Sequence, residues 1–162
     1  MASIEPARPE DVVAVGEISE SAFEDYGEYG KIVAKFFTSQ GVTTYVARVG
    51  AEVVGFVMLG FLPWSGGAEE GNPWISDLLA IAVVPGQRRR GIGDALMQRM
   101  FELVEEMGEW RDVLEIQLTC AEGNQAGLNF FKKYGFEVID PDHGTYSGGQ
   151  PALRLAKRLE GA

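Results

Sequence analysis

The stretch from residue 78 to residue 96 constrains the fold more than any other part of the chain. It opens with an apolar run, Leu78–Val84, whose length and composition are typical of a buried strand. A turn rich in arginine and glycine follows, and a periodic apolar pattern typical of an amphipathic helix begins at Ile92. A strand, a glycine-rich turn and a helix start, in that order, place backbone N–H groups where they can bind an anion.

The turn itself combines positive charge with room for a ligand. Three consecutive arginines supply the charge, because guanidinium groups bind phosphate oxygens strongly. Two glycines without Cβ atoms let an anion approach the backbone, and the first N–H groups of a helix have no partner inside the helix. The sequence therefore predicts a phosphate-binding turn formed by Arg88, Arg89, Arg90, Gly91, Ile92 and Gly93.

Two common phosphate-binding motifs do not match this turn. A P-loop has lysine and then serine or threonine after its last glycine, whereas Asp94 follows Gly93 here. The dinucleotide fingerprint requires a third glycine where this chain has Leu96. The turn therefore does not favour a nucleotide-binding protein that uses either motif.

Length and charge limit the classes of partner. The chain has 162 residues, which suits one domain with a sizeable core. Its net charge of −10 argues against nucleic acid as the main partner, because phosphates repel an acidic surface. The same charge is compatible with a cationic acceptor such as a free amine.

The composition also bears on metals and on location. One cysteine, Cys120, and one histidine, His143, leave few ligands for a transition metal, so no metal is expected. A single cysteine fits a reducing compartment. No run approaches the roughly 20 apolar residues of a membrane span, and residues 1–11 have no apolar signal core. We expect a cytoplasmic protein without a membrane partner.

Apolar periodicity predicts strands and helices that interleave along the chain. Strands are expected at residues 3–7, 43–49, 53–62, 74–84, 113–120, 136–139 and 152–156. Helices are expected from Pro9 onward and at residues 29–39, 91–107 and 124–134. Such interleaving predicts a mixed α/β fold on a central sheet.

Three segments carry a resemblance to a known family. One is the turn Arg88-x-x-Gly91-x-Gly93, which follows a strand ending in Val-Val-Pro. Another is residues 124–136, where Asn-x-x-Ala is followed by an aromatic pair and then by Gly-Phe. The third is the hairpin at residues 44–62. With the hairpin first, the turn second and residues 124–136 last, the chain resembles the GNAT superfamily, the GCN5-related N-acetyltransferases, over nearly its whole length.

The resemblance implies a fold and a co-substrate. The fold would be one GNAT domain over residues 1–162, α/β (α+β), with a mixed and mostly antiparallel sheet of six to seven strands and about four helices. The co-substrate would be acetyl-CoA, whose pantetheine arm enters where the central strand separates from the strand at 113–120. The residues implied are Ile81, Ala82 and Val83 along the arm, Arg88 to Gly93 at the pyrophosphate, and Asn124 and Phe131 toward the thiol end.

The implied activity is transfer of an acetyl group to a primary amine by direct attack in a ternary complex. Two kinds of acceptor stay open, a small-molecule amine and a protein N-terminus. A non-catalytic module that senses acyl-CoA is an alternative of a different class. Both a monomer and a homodimer are compatible with the sequence.

Catalytic candidates follow from the needs of acetyl transfer, which are a neutral amine, a donor for the developing oxyanion and a proton for the thiolate. Asp77 occupies the position where the histone acetyltransferase branch has its general-base glutamate. Glu115 on the next strand is a rival base. Thr119 stands where some N-terminal acetyltransferases have a glutamate, so that base is missing.

The general acid departs from the family pattern. Many members have a tyrosine where this chain has Phe131, which has no proton to donate. Tyr134 lies close to one helical turn later, so we expect it to serve as a substitute. Water is the alternative proton source. No covalent intermediate is needed, so Cys120 is expected to be structural.

Acids and aromatic residues mark the expected acceptor side, in two loops that usually line it in this family. These combinations would suit a cationic acceptor through charge and cation–π contacts. The residues are Glu24, Asp25, Tyr26, Glu28 and Tyr29 in one segment, and Trp64, Glu69, Glu70 and Trp74 in or beside the loop at 63–73. Tyr146 with the following Ser-Gly-Gly is expected to close one side, and His143 is expected at the surface.

Overall fold

In the computed structural model, which describes residues 1–64, 73–110 and 112–159, seven strands form one sheet. The strands are β1 (Ser3–Pro6), β2 (Val42–Val49), β3 (Glu52–Pro63), β4 (Trp74–Val83), β5 (Val113–Ala121), β6 (Glu137–Asp140) and β7 (Ala152–Arg158). The α-helices of the described residues are α1 (Val12–Ala22), α2 (Tyr29–Phe37), α3 (Ile92–Gly108) and α4 (Gln125–Lys133). The predicted fold class, with six to seven strands and about four helices, is confirmed.

The strand order is β1-β2-β3-β4-β5-β7-β6, and the sheet is mixed. Five of its neighbouring pairs are antiparallel, and β4 with β5 is the parallel one. A parallel pair cannot be joined by a tight turn, and here α3 forms the crossover. The arginine- and glycine-rich turn therefore lies at the carboxyl end of β4, beside the parallel neighbour.

The pairing of β4 with β5 ends before the two strands do. It runs from Trp74 opposite Val113 to Leu78 opposite Leu118, although β4 continues to Val83. On the other side, β4 stays paired with β3 but carries an irregularity at Leu79, which is left out of the register. Such bulges bend a strand and increase its twist. The implied separation of the two central strands is thus present, and it opens a gap in the middle of the sheet.

The helices cover both faces of the sheet and bury two apolar clusters. Leu96, Met97 and Met100 of α3 are completely buried on one face, as their periodicity predicts. Val15 of α1 and Val33 of α2 pack on the other face. Burial of these apolar faces is the main force that holds the helices to the sheet.

The observed element ends differ from the predicted ones by one or two residues, as is usual for frayed ends. The exception is α1, because a 3-10 turn at Pro9–Asp11 precedes its first residue, Val12. Gly135 ends α4 as expected, with a φ of 93° and an N–H that donates to the oxygen of Lys132 at 3.0 Å. Within the ranges that the structure describes, no helix is both long and apolar enough to cross a bilayer.

Candidate active site

A cavity of about 710 Å³ lies in the gap between β4 and β5. Its walls come from the α1–α2 connection, the second half of β4, the start of α3, the end of β5, α4 and the β6–β7 loop. The volume is in the usual range for sites that bind small molecules. One end faces the arginine- and glycine-rich turn, and the other end faces a group of tyrosines.

The turn before α3 has a backbone shaped for an anion. Arg89 has a φ of 63° and Gly91 a φ of 76°, both left-handed. Alternation of left- and right-handed residues curves the chain so that successive N–H groups converge. A Cβ atom on Gly91 would meet no heavy atom within 4 Å, so a side chain there would extend into open space.

Five of the six predicted turn residues line the cavity, and Arg90 is the one that does not. Arg88 uses its Nε to donate to the carbonyl oxygen of Val83 at 3.1 Å, which ties the turn to the end of β4. Residues of the turn on the cavity wall are Arg88, Arg89, Gly91, Ile92 and Gly93.

Among the strands of the described residues, none pairs with the gap-facing edge of β4 beyond Leu78. Ile81, Ala82 and Val83 all line the cavity there, as predicted. Unpaired backbone groups at a strand edge can pair with an extended ligand segment. The edge can therefore bind a ligand arm in the manner of an added strand.

The start of α4 forms the wall opposite this edge. Asn124 lines the cavity, and its side-chain oxygen accepts from the N–H of Gly127 at 3.0 Å, which caps the helix. A Cβ on Gly127 would lie 2.5 Å from the amide nitrogen of Asn124, so this cap requires a glycine. Phe131 also lines the cavity, with its ring 6.0 Å from that of Phe136.

Asp77, the predicted base, lines the cavity as part of a polar cluster on three adjacent strands. Nη1 of Arg154 donates to Oδ1 of Asp77 at 3.3 Å and to the hydroxyl of Thr119 at 3.0 Å. Nε of Arg154 donates to Oε1 of Gln117 at 3.0 Å. The side chains of Asp77 and Arg154 are 17% and 14% exposed, so solvent screens this ion pair only in part.

Sequence reasoning missed Arg154. The one available signal is that a charged residue alternates with leucines in the last strand, Leu153-Arg154-Leu155, which indicates a polar position on one face of a buried strand. The strand order that brings β7 next to β5, and so within reach of β4, is not visible in the sequence.

Glu115, the rival base, lies apart from the cavity lining. Its Oε1 accepts from Nε2 of Gln117 at 2.6 Å. Hydrogen bonds through Gln117 and Arg154 connect the residue to Asp77. This position does not support a role for Glu115 as the base.

The structure gives no support to Tyr134 as the general acid. Its hydroxyl donates to the carboxylate of Asp94 on α3, and the residue is not part of the cavity wall. Its ring packs against Phe101 and Phe130, at 5.8 Å and 5.3 Å between centroids. Burial, together with the hydrogen bond to Asp94 and the negative charge there, raises the pKa of Tyr134 to about 12. Both the position and the pKa make it a poor proton donor to a ligand in the cavity.

Cys120 is buried beside the cavity. Burial raises the pKa of its thiol to about 11, so the group is protonated near neutral pH. A thiol in that state is a weak nucleophile. Its environment agrees with the expectation that the reaction forms no covalent enzyme intermediate.

Aromatic rings and the carboxylates of Asp25 and Asp77 line the end of the cavity away from the turn. Phe23, Asp25, Tyr26 and Tyr29 contribute from the α1–α2 connection, and Tyr146 contributes from the β6–β7 loop. The Tyr146 ring lies 5.0 Å from that of Tyr26 and 6.1 Å from that of Tyr29. Burial raises the pKa of both Tyr29 and Tyr146, so these phenols stay neutral and can donate hydrogen bonds.

The α1–α2 connection and the β6–β7 loop are joined across this end. Nε2 of Gln150 donates to the backbone oxygen of Asp25 at 2.7 Å. A Cβ on Gly148 would collide with that same oxygen, and one on Gly27 would lie 3.2 Å from Cβ of Ser147. Close packing of the two loops closes one side of the cavity, as expected for Tyr146 and its neighbours.

The other described residues that were predicted for the acceptor side do not line the cavity. Neither Glu24 nor Glu28 is on the cavity wall, nor are Trp64 and Trp74. The predicted Glu69 and Glu70 fall outside the described residues. His143 is exposed, as expected, with Nδ1 3.3 Å from a carboxylate oxygen of Asp140.

Comparisons with known proteins agree with this geometry. The curated N-alpha-acetyltransferase of Sulfurisphaera tokodaii is 29% identical over 160 residues, which cover 96% of this chain and 92% of that protein. N-alpha-acetyltransferase 20 of Dictyostelium discoideum is 33% identical over 90 residues, 56% of this chain and 50% of that protein.

The fold is also found in solved structures of Arabidopsis thaliana NAA60. The complex with a bisubstrate analogue has a TM-score of 0.79 at 15% identity and covers 99% of this chain and all of that one. The complex with acetyl-CoA has a TM-score of 0.77 at 16% identity, with the same coverage.

The family assignment follows from a match to a family model. The model described as the acetyltransferase (GNAT) family matches residues 12–136, which include the β2–β3 hairpin, the turn before α3 and the whole of α4. The resemblance carried by those three segments is therefore confirmed. The chain belongs to the GNAT family and is an acetyl-CoA-dependent acetyltransferase.

Proposed function

We propose that the protein acetylates the α-amino group at the N-terminus of a peptide or protein, by direct attack in a ternary complex with acetyl-CoA. The observation that carries the proposal is one continuous cavity with the arginine- and glycine-rich turn at one end and carboxylates with tyrosines at the other. The names of the two curated relatives, both N-alpha-acetyltransferases, support the choice of acceptor.

The residues present fit acetyl-CoA as the donor. Residues 88–93 would hold the pyrophosphate through backbone N–H groups and arginine side chains. The edge of β4 from Ile81 to Val83 would pair with the pantetheine arm, while Asn124 and Phe131 would line its thiol end. Once bound, acetyl-CoA supplies an acetyl group activated as a thioester.

An α-amino group suits the acceptor end better than a lysine side chain does. An α-amine has a pKa of roughly 7.7–8.0 against about 10.4 for lysine, so a larger fraction is neutral near pH 7. Its deprotonation before attack therefore depends less on a catalytic base. The carboxylates of Asp25 and Asp77 attract the cationic form before the proton is lost.

The bond changes balance without a further reactant. The amine nitrogen forms a bond to the acetyl carbon, the C–S bond breaks, and its electron pair goes to sulfur. The cationic acceptor first loses one proton to Asp77, directly or through a water, and a second proton leaves the nitrogen to solvent as the amide forms. Water protonates the thiolate, because Tyr134 is engaged with Asp94. Residues 1–162 would act as one catalytic domain in the cytoplasm.

Thiol release from acetyl-CoA with matched peptides tests the acceptor. One peptide has a free α-amine and an acetylated lysine, and its partner has an acetylated N-terminus and a free lysine. Spermidine, free lysine and amino sugars complete the panel. We expect release with the first peptide and a mass increase located at its N-terminal residue.

Other outcomes would contradict the proposal. Release with the lysine peptide or a small amine alone would assign a different acceptor. Binding of acetyl-CoA without release, across peptides that cover all N-terminal residues, would favour the acyl-CoA sensor.

A further inference from the structure

We infer that Arg154 is a positioning residue for acetyl transfer, which fixes the Asp77 carboxylate at the acceptor end of the cavity. This inference rests on the proposed role of Asp77 as the base. Arg154 is on the cavity wall, and its described hydrogen bonds all go to side chains of the protein.

Strand register explains how Arg154 reaches its partners. Arg154 on β7 is directly opposite Thr119 on β5, and Gln117 on β5 is directly opposite Asp77 on β4. Residues that lie directly opposite each other on adjacent strands have their side chains on the same face of the sheet. Arg154 therefore extends across β5 to meet a carboxylate two strands away.

The guanidinium is held in place by a chain of hydrogen bonds. Gln117 donates through Nε2 to Glu115 at 2.6 Å and accepts through Oε1 from Nε of Arg154 at 3.0 Å. An amide has one oxygen and one nitrogen, so the bond to Glu115 turns the oxygen toward the arginine. Thr119 accepts a bond from Nη1 of Arg154. The acceptors on Gln117 and Thr119 orient the planar guanidinium so that it also reaches a third acceptor, Asp77.

The chemistry of arginine limits what Arg154 can do. A guanidinium does not lose its proton in proteins, so it is not the base. Beside Asp77 it holds one oxygen of the carboxylate in place through a charge-assisted contact. Arg154 then acts through Asp77, and its removal should lower kcat more than it changes the binding of acetyl-CoA, whose turn lies at the other end of the cavity.

The test is Arg154→Gln, measured for kcat, acceptor KM and acetyl-CoA Kd. We expect kcat to fall by about 100-fold, which is typical when a reacting group is misplaced by about 1 Å, while the acetyl-CoA Kd stays within about twofold. Arg154→Ala with added ethylguanidinium should regain part of the lost kcat. Arg8→Gln removes the same charge at a side chain that is 60% exposed and follows the edge strand β1, so it should leave kcat unchanged.

A double variant separates this inference from the proposed function. If Arg154 acts through Asp77, adding Arg154→Gln to Asp77→Asn lowers kcat no further. A full additional loss would show that Arg154 acts independently and would overturn the inference. Wild-type kcat in Arg154→Gln, with Asp77→Asn impaired, would overturn it as well. Wild-type kcat in Asp77→Asn would instead refute the base itself. If Arg154→Gln does not fold, Arg154→Lys is measured in the same cycle.

Discussion

The hydroxyl of Tyr134 donates a hydrogen bond to the carboxylate of Asp94 and so joins the end of α4 to the first turn of α3. Nζ of Lys133 lies 2.8 Å from the same carboxylate. Hydrogen bonds from Lys133 and Tyr134 hold the pKa of Asp94 below its usual value. This contact links α3, which begins at the arginine- and glycine-rich turn, to α4, which lines the cavity.

Tyr134→Phe tests whether this contact is structural. We expect kcat to stay within about twofold of wild type, because the hydroxyl is not on the cavity wall. The free energy of unfolding should fall by about 1 kcal/mol, the usual net worth of one hydrogen bond. Steady-state kinetics and urea unfolding measure the two quantities. A loss of kcat beyond tenfold with unchanged stability would return Tyr134 to the role of general acid.

Gly91→Glu should abolish acetyl-CoA binding. The new side chain would extend into the open space of the turn and add negative charge where the pyrophosphate is proposed to bind. Isothermal titration with acetyl-CoA measures the Kd, which we expect to rise by at least about 100-fold, or roughly 2.7 kcal/mol.

Two control variants isolate the cause of that loss. Gly91→Ala introduces the same backbone strain at a φ of 76° without bulk or charge, so it should bind with a smaller loss. Gly86→Glu adds the same charge in the preceding turn but off the cavity wall, so it should bind normally. Equal weakening by Gly86→Glu would mean that overall charge, not the site, controls binding.

Gly148→Ala should weaken binding of the acceptor while sparing that of acetyl-CoA. Its Cβ would collide with the backbone oxygen of Asp25, which forces the β6–β7 loop away from the α1–α2 connection and moves Tyr146 from Tyr26. We expect the acceptor KM to rise several-fold. Gly123→Ala, whose Cβ would meet nothing within 4 Å, is the matched control. An unchanged acceptor KM would place the acceptor site elsewhere.

The buried ion pair between Arg48 and Asp11 should dominate the response of stability to acid. These residues are 7% and 5% exposed. Burial acts to raise the pKa of Asp11, but hydrogen bonds from Arg48 and from the N–H of Arg8 outweigh it, so the pKa lies below 3.8. A pKa lowered by folding means that the unfolded chain binds more protons. The contribution is therefore complete above about pH 4 and is lost as the pH falls through the folded pKa.

Arg48→Met tests this directly. It leaves Asp11 buried without its cation, and breaking a buried pair in this way costs about 3–5 kcal/mol. Unfolding free energies at pH 7 and pH 3 should differ less in this variant than in wild type. Arg8→Met removes an arginine whose side chain is 60% exposed and should cost less than about 1 kcal/mol. An equal effect of the two changes would contradict the assignment.

Local features of this enzyme could be predicted because neighbours in the chain determine them. The anion-binding turn needs only a strand end, two glycines and the first N–H groups of a helix, which all lie within residues 83–93. The buried face of α3 repeats with the helical period from Ile92, and the glycine at position 135 ends α4. Such signals hold whatever the rest of the chain does.

The acceptor end of the site depended on strand order and on helix rotation. Asp77 and Arg154 meet only because β5 lies between β4 and β7 in the sheet, and no local pattern encodes that order. Phe131 and Tyr134 are three residues apart, which leaves them about 60° apart around a helix. That angle is enough to aim Phe131 at the cavity and Tyr134 at Asp94. The rotation of α4 is set by its packing against α3, whose Asp94 lies 40 residues before Tyr134 in the chain. A local sequence pattern therefore does not reveal it.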